Sequence, residues 1–249
     1  MTATLASSHH MPLSCGKPAW LVVLLHAHGS SAEHILELAV EWAPDLLKAE
    51  FIALQAPPSP PGADHPPHWF ACEADGSPSM ASLNAAAAAV QATAEGWLAE
   101  RKLAPQRLAL LGFGAGATLA LHTGLRHPDI GAIVAIAGGV AGGVAGGVAG
   151  GTASARDTGA LPAPPTGVSA EALPEVLLVE SADAVPVGTP DVATSADVLT
   201  AAGWAVRRQT SPGDWHGLEE AGIHAIAQFL KAALTREEPA STHDHDHDH

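Results

Sequence analysis

Apolar residues along this chain fall into short unbroken runs separated by longer segments of mixed polarity. Residues 19–25 and 108–111 are continuous apolar runs of strand length, the pattern of strands buried on both faces of a sheet. Residues 50–55, 131–137 and 175–180 read as further buried strands, and 204–209 as an outer one. Between them lie segments of helical character. Ser30, with Glu33 three residues on, makes a capping box for a helix over 31–41. The alanine-rich stretch 82–102 predicts a long helix ended by Leu103-Ala104-Pro105. Residues 192–202 predict another helix. A last one, over 217–234, carries Ile223, Ile226, Ala227 and Leu230 as one apolar stripe. Strands alternating with helices predict an α/β fold, a mostly parallel sheet with helices on both faces.

The flanking segments set the domain limits. Residues 1–17 read as a loose N-terminal tail, 18–235 as one α/β domain, and 236–249 as a disordered His/Asp-rich tail. No charged residue occurs from 130 to 155. Much of that stretch, residues 137–151, repeats Ala-Gly-Gly-Val, and each glycine costs a helix up to ~1 kcal/mol relative to alanine. A strand followed by a flexible glycine-rich loop therefore fits better than a membrane span.

At 249 residues the chain is long enough for one domain with a large core. Its 26 acidic residues against 11 lysines and arginines argue against nucleic acid or an anionic membrane as partner. Two cysteines, Cys15 and Cys72, give no disulfide framework, which fits a reducing compartment. Residues 1–10 lack the basic and apolar regions of a signal peptide, so the cytoplasm is the expected location.

The densest motif lies at residues 107–120. The apolar run 108–111 breaks at Gly112, Gly114 and Gly116 and continues as a helix-compatible Ala/Leu segment. This resembles the nucleophile elbow of α/β-hydrolases, a strand, sharp turn and helix with the pattern G-x-S-x-G. Gly112 and Gly116 stand where strand and helix pass too closely for a side chain. The elbow holds its central residue at positive φ so that a serine oxygen stands exposed. Gly114 adopts such angles without strain but carries no nucleophile.

Together the pieces resemble the phospholipase/carboxylesterase family, over roughly residues 18–234. The resemblance implies an α/β-hydrolase fold and an ester-hydrolase ancestry without a required cofactor. The family's L-H-G-x-G is matched by Leu25-His26-Ala27-His28-Gly29, and its Trp-Phe pair by Trp69-Phe70. Its G-F-S-Q-G aligns with Gly112 to Gly116, which puts Gly114 at the nucleophile position and Ala115 after it. Its H-G-x-x-D aligns with Glu180-Ser181-Ala182-Asp183-Ala184, so the acid position falls on Ala184, with Asp183 adjacent as a substitute acid. Its P-G-x-G-H-G aligns with residues 212–217, which keeps the triad base as His216. Serine attacks, histidine takes its proton and the acid fixes the imidazole tautomer, so two of the three positions have lost their function. Further family positions differ at Ala27, Glu180, Asp214 and Trp215. Substitution spread over four loops looks like a lineage released from the original chemistry. The oxyanion donors that the family implies are backbone N–H groups, here of His28 and Ala115, and these survive side-chain replacement. His26, Trp69 and Trp215 are the remaining pocket residues by the same resemblance.

Other chemistry is weaker. His26, His28 and His216 converge if the family fold holds, but a structural role for the first and a retained base for the last explain them without a metal. Cys72 has no histidine beside it at any recognised spacing. In the tail, His243, His245, His247 and His249 alternate with aspartates, which puts the imidazoles on one side of an extended chain and suits Zn or Ni. Three readings follow. The first is a non-catalytic pseudo-hydrolase binding a small carbonyl or carboxylate ligand or a protein partner. The second is a weak hydrolase using His216, the oxyanion hole and activated water. The third is a metal-binding protein acting through its tail.

Overall fold

The structure is a computed structural model and describes residues 5–59, 66–74, 76–141, 161–181, 192–211 and 218–236. The strands are β1 (Ser7–His10), β2 (Trp20–Leu25), β3 (Ala49–Leu54), β4 (Leu108–Phe113), β5 (Ala132–Ile136), β6 (Glu175–Ser181) and β7 (Val206–Ser211). They form one sheet in the order β1-β3-β2-β4-β5-β6-β7. Every neighbouring pair is parallel except β1 with β3, which is antiparallel.

The helices are α1 (Ala32–Glu37), α2 (Ala39–Trp42), α3 (Met80–Arg101), α4 (Ala115–Gly124), α5 (Val192–Ala201) and α6 (Glu220–Leu234). Because side chains alternate along a strand, β2 feeds two cores at once. Leu21, Val23 and Leu25 pack with α3, α4 and α5 on one face. Val22 and Leu24 pack with α1, α2 and α6 on the other. Burial on both sides is why the central strands are apolar without alternation. Among the described residues no helix is long and apolar enough to cross a membrane.

Several expectations change. The segment read as an N-terminal tail contributes β1, a polar edge strand whose exposed and half-exposed residues give no apolar signal. The cap of the first helix is Ser31 instead of Ser30: its hydroxyl accepts from the His34 N–H at 3.2 Å. The helix expected over 31–41 breaks at Leu38 into α1 and α2. Trp204 precedes β7 and does not begin it. Its indole is buried and donates to the Pro162 carbonyl at 2.9 Å. The start of the glycine-rich segment is packed, not loose: Ala141 is buried, and the Val140 N–H donates to Ser195 Oγ at 3.1 Å. Residues 142–160, which include the rest of that segment, lie outside the described residues.

Candidate active site

The carboxyl ends of β2 and β4 meet at the turn into α4. Gly114 has φ 52° and ψ −114°, a backbone region that a residue with a Cβ occupies only under strain. Its N–H donates to the Ile136 carbonyl at 2.9 Å, and its own carbonyl accepts from the Thr118 N–H at 3.1 Å. The turn is thereby tied to β5 on one side and to the first turn of α4 on the other.

Two flanking glycines make this turn sterically feasible. A Cβ on Gly112 would lie 2.1 Å from the Gly116 carbonyl oxygen, and a Cβ on Gly116 would lie 2.1 Å from the Leu25 carbonyl oxygen. Both obstacles are backbone, so neither gives way cheaply. Gly138 is equally constrained, since its Cβ would fall 2.4 Å from the Gly114 carbonyl oxygen. The apex is different. Among the described residues, a Cβ on Gly114 would meet only Ala27, at 3.6 Å from its Cβ. Space for a side chain exists where the side chain is missing.

The loop after β2 is braced from behind. His26 is 1% exposed. Its Nδ1 lies 2.8 Å from the Ala27 carbonyl, which can only accept, and its Nε2 lies 3.1 Å from the Ala56 N–H, which can only donate. Those partners fix a neutral ring protonated at Nδ1. Burial, the largest influence, holds its pKa below the ordinary histidine value; the bond to Ala27 opposes the shift and nearby His28 adds to it. The buried Trp69 indole donates to the His26 carbonyl at 2.8 Å, with the two rings 4.9 Å apart. His26 and Trp69 therefore stand behind the loop as its supports, and neither is among the residues that wall the cleft in front of it. With both ring nitrogens engaged, His26 is not free to ligate a metal. Gln55 completes the brace, accepting the Ala32 N–H at 2.9 Å on Oε1 while its amide nitrogen lies 3.3 Å from His26 Nε2. Sequence reading passed over Gln55. Its one signal is a polar residue directly after the apolar run 51–54.

In front of the loop is a cleft of about 490 Å³, walled by Ala27, His28, Ser31, His34, Leu38 and Phe113 among others. That volume suits a small ligand. His28 is exposed there, its ring 6.3 Å from that of His68. Ala115 is the first residue of α4, and the leading N–H groups of a helix have no intrahelical acceptor and favour negative charge. At the end of β6, the Glu180 carboxylate accepts from Arg208 on β7 at 3.3 Å.

The structure thus brings His26, His28, Trp69, Gly114 and Ala115 to one end of the sheet. Asp183, Ala184, Trp215 and His216 lie outside the described residues, as do His243, His245, His247 and His249. Among the described residues no group of three or more metal-ligating side chains converges. Cys72 is exposed, in an isolated bridge to Pro78.

Comparison with known proteins agrees with this geometry. A family model described as Phospholipase/Carboxylesterase matches residues 14–144. No curated protein sequence matches the chain. Among solved structures, the chain is similar to esterase PE8 at 26% identity and TM-score 0.72, covering 93% of this chain and 100% of that one. A carboxylesterase from Bacillus cereus is 16% identical with TM-score 0.65, covering 93% and 95% of the two chains. A phospholipase/carboxylesterase from Dyadobacter fermentans is 20% identical with TM-score 0.58, covering 92% and 98%. At these last two identities the likeness concerns the fold alone.

Proposed function

Since the chain belongs to the phospholipase/carboxylesterase family and has its α/β-hydrolase fold, we propose that its elbow site is that of a pseudo-hydrolase, which holds a small carbonyl- or carboxylate-bearing ligand without attacking it. The observation that carries this reading is Gly114. It stands at the apex of a turn with φ 52° and ψ −114°, between two glycines that admit no Cβ, and offers no atom to a substrate. Family hydrolysis requires an oxygen at that point and a base and acid behind it. That chemistry requires no cofactor.

Binding is a separate matter from attack. The donors that hold an oxyanion in such a site are backbone N–H groups, here of His28 and Ala115, and these do not depend on side chains. The adjoining cleft supplies an apolar wall at Leu38 and Phe113 beside polar groups at Ser31, His28 and His34. A short-chain carboxylate or ester fits that mixture: its acyl chain lies against the apolar wall and its oxygen faces the amides.

The test is an NMR titration with butyrate, reading the backbone amides of His28 and Ala115, beside turnover of a short-chain p-nitrophenyl ester. Saturable shifts at those two amides without turnover dependent on His216 are expected. Rapid ester turnover that is lost in His216→Ala and is insensitive to a fluorophosphonate would overturn the reading in favour of activated water at the same site.

A further inference from the structure

At one edge of the sheet, two side chains on β1 and one on the neighbouring β3, none of them used by the elbow, stand in a row. The Ser7 hydroxyl lies 3.0 Å from His9 Nε2, and His9 Nδ1 lies 3.0 Å from Glu50 Oε1. Ser7 and His9 are two apart on a strand and so project from one face. His9 is paired with Ile52 across the β1–β3 ladder, and Glu50 lies two residues before Ile52, on that same face. We infer that Ser7, His9 and Glu50 form a Ser–His–carboxylate relay, separate from the elbow, able to take an acyl group from small activated esters.

The order of the bonds is what a nucleophile needs. A carboxylate at Nδ1 can only accept, so it places the ring proton there and leaves the Nε2 lone pair facing the serine hydroxyl. Glu50 is held rigidly for this role. Its side chain is 1% exposed, and Arg101 clasps both oxygens, Nε to Oε2 at 2.6 Å and Nη2 to Oε1 at 2.7 Å. Trp97 meets the imidazole edge-on with centroids 5.7 Å apart and steadies the ring. If His9 served only to pin the edge strand, the Glu50 bond would be sufficient, and the serine at Nε2 would have no purpose. Arg101 also sets a limit: it shares the carboxylate charge, so Glu50 fixes the tautomer more than it stabilises an imidazolium, and the relay is correspondingly slow.

In the step itself, Ser7 Oγ bonds to the acyl carbon while its proton passes to His9 Nε2. The bond to the leaving alcohol breaks, and the alcohol departs with that proton. Water, deprotonated by His9, then releases the acid and restores the hydroxyl. Since β1 is an edge strand and the Gln55 N–H donates to the Ala6 carbonyl, antiparallel alternation turns the N–H groups of Ser7 and His9 outward, where they can meet an oxyanion.

The experiment uses the full chain and a fluorophosphonate probe, which forms an Oγ–P bond with loss of fluoride, with the adduct located by peptide fragmentation. An adduct at Ser7 is expected in wild type and none at that position in Ser7→Ala. Labelling should slow by about 100-fold or more in His9→Gln, the usual size of general-base assistance. Added imidazole should restore labelling of His9→Ala, which a purely structural histidine would not allow. No adduct at Ser7 in folded wild type, or equal labelling in His9→Gln, overturns the relay. If His9→Gln melts early, the imidazole arm decides: no recovery overturns it. Because the adduct is mapped to a residue, failure here leaves the reading of the elbow to its own titration.

Discussion

Gly114 and Ala27 face each other across the elbow with room to spare: a Cβ on Gly114 would stop 3.6 Å from that of Ala27, an ordinary van der Waals contact. The penalty for a side chain at the apex is therefore conformational and not steric. Gly114→Ala and Gly114→Ser should both fold and lose ~1–3 kcal/mol, the cost of holding a residue in a sparsely populated backbone region. Gly112→Ala should lose clearly more, since its Cβ would press into the Gly116 backbone at 2.1 Å. Chemical denaturation of the three variants gives the ranking, and a Gly114→Ala that is neutral or more stable than wild type would contradict the turn described here.

The Glu50–Arg101 pair makes a second prediction. Glu50 is almost wholly buried, and its pKa lies below the ordinary carboxylate range. Burial is the largest single influence and acts upward, but the Arg101 and His9 hydrogen bonds and charges together outweigh it. Removing the guanidinium in Arg101→Met leaves a buried carboxylate short of partners, at a cost of ~3–5 kcal/mol near neutral pH. In wild type the folded pKa is depressed, so the Glu50 contribution is present above the unfolded pKa and fades as pH falls through the folded one. The gap between variant and wild type should therefore narrow in acid. A gap that is the same at every pH would mean the loss is one of packing alone.

His122 on α4 behaves differently. It is buried, donates from Nε2 to Asn84 Oδ1 at 2.7 Å and lies 3.1 Å from Arg126 Nη1 at its other nitrogen. Burial first, and the Arg126 charge second, lower its pKa from 6.5 to about 4. Between those values the unfolded chain binds a proton there and the folded chain does not, so stability falls as pH drops from about 6.5 toward about 4. His26, whose pKa is also lowered by burial, works in the same direction. In His122→Gln the decline across that window should be shallower than in wild type, while its lower end, where Glu50 acts, should remain. Equal slopes would show that His122 is protonated in the folded state.

What the sequence made legible follows from where its signals arise. The central strands could be read because burial on both faces leaves an unbroken apolar run, as at Trp20–Leu25. The elbow could be read because close backbone approach forces glycine at fixed spacing, as at Gly112 and Gly116. β1 could not, because Ser7–His10 is a polar edge strand defined only by backbone pairing with residues more than forty positions away. The support of the loop after β2 was hidden for the same reason. The bonds from Ala56 to His26, from Trp69 to His26 and from Ala32 to Gln55 join distant segments, and no local pattern announces them. The Ser7–His9 spacing was visible, but Glu50 gives it meaning only once β3 lies alongside.

The last prediction tests whether the elbow lost its activity by losing particular groups. Gly114→Ser has space at the apex, but by the family alignment its base, His216, would still lack an orienting acid, because the acid position is Ala184. Loss of that acid costs about 10⁴ in turnover in a serine protease. Serine alone should therefore restore little hydrolysis of a p-nitrophenyl ester, and Ala184→Asp alone none. The double variant should exceed either single change by far more than the product of their effects, as expected of groups that act as one unit. All four proteins are best compared in a Ser7→Ala background, so that only elbow chemistry is read, with fluorophosphonate labelling at position 114 as the parallel measure. Ala27 and Ala115, which by the same alignment stand where the family has glycine and glutamine, would keep the rate below that of an intact family member. A double variant that labels at position 114 but does not turn over would show that nucleophile and base work together and would locate the fault in release of the acyl group. One that folds yet neither labels nor turns over would show that Ala184 is not the acid position, and the search would move to the neighbouring Asp183.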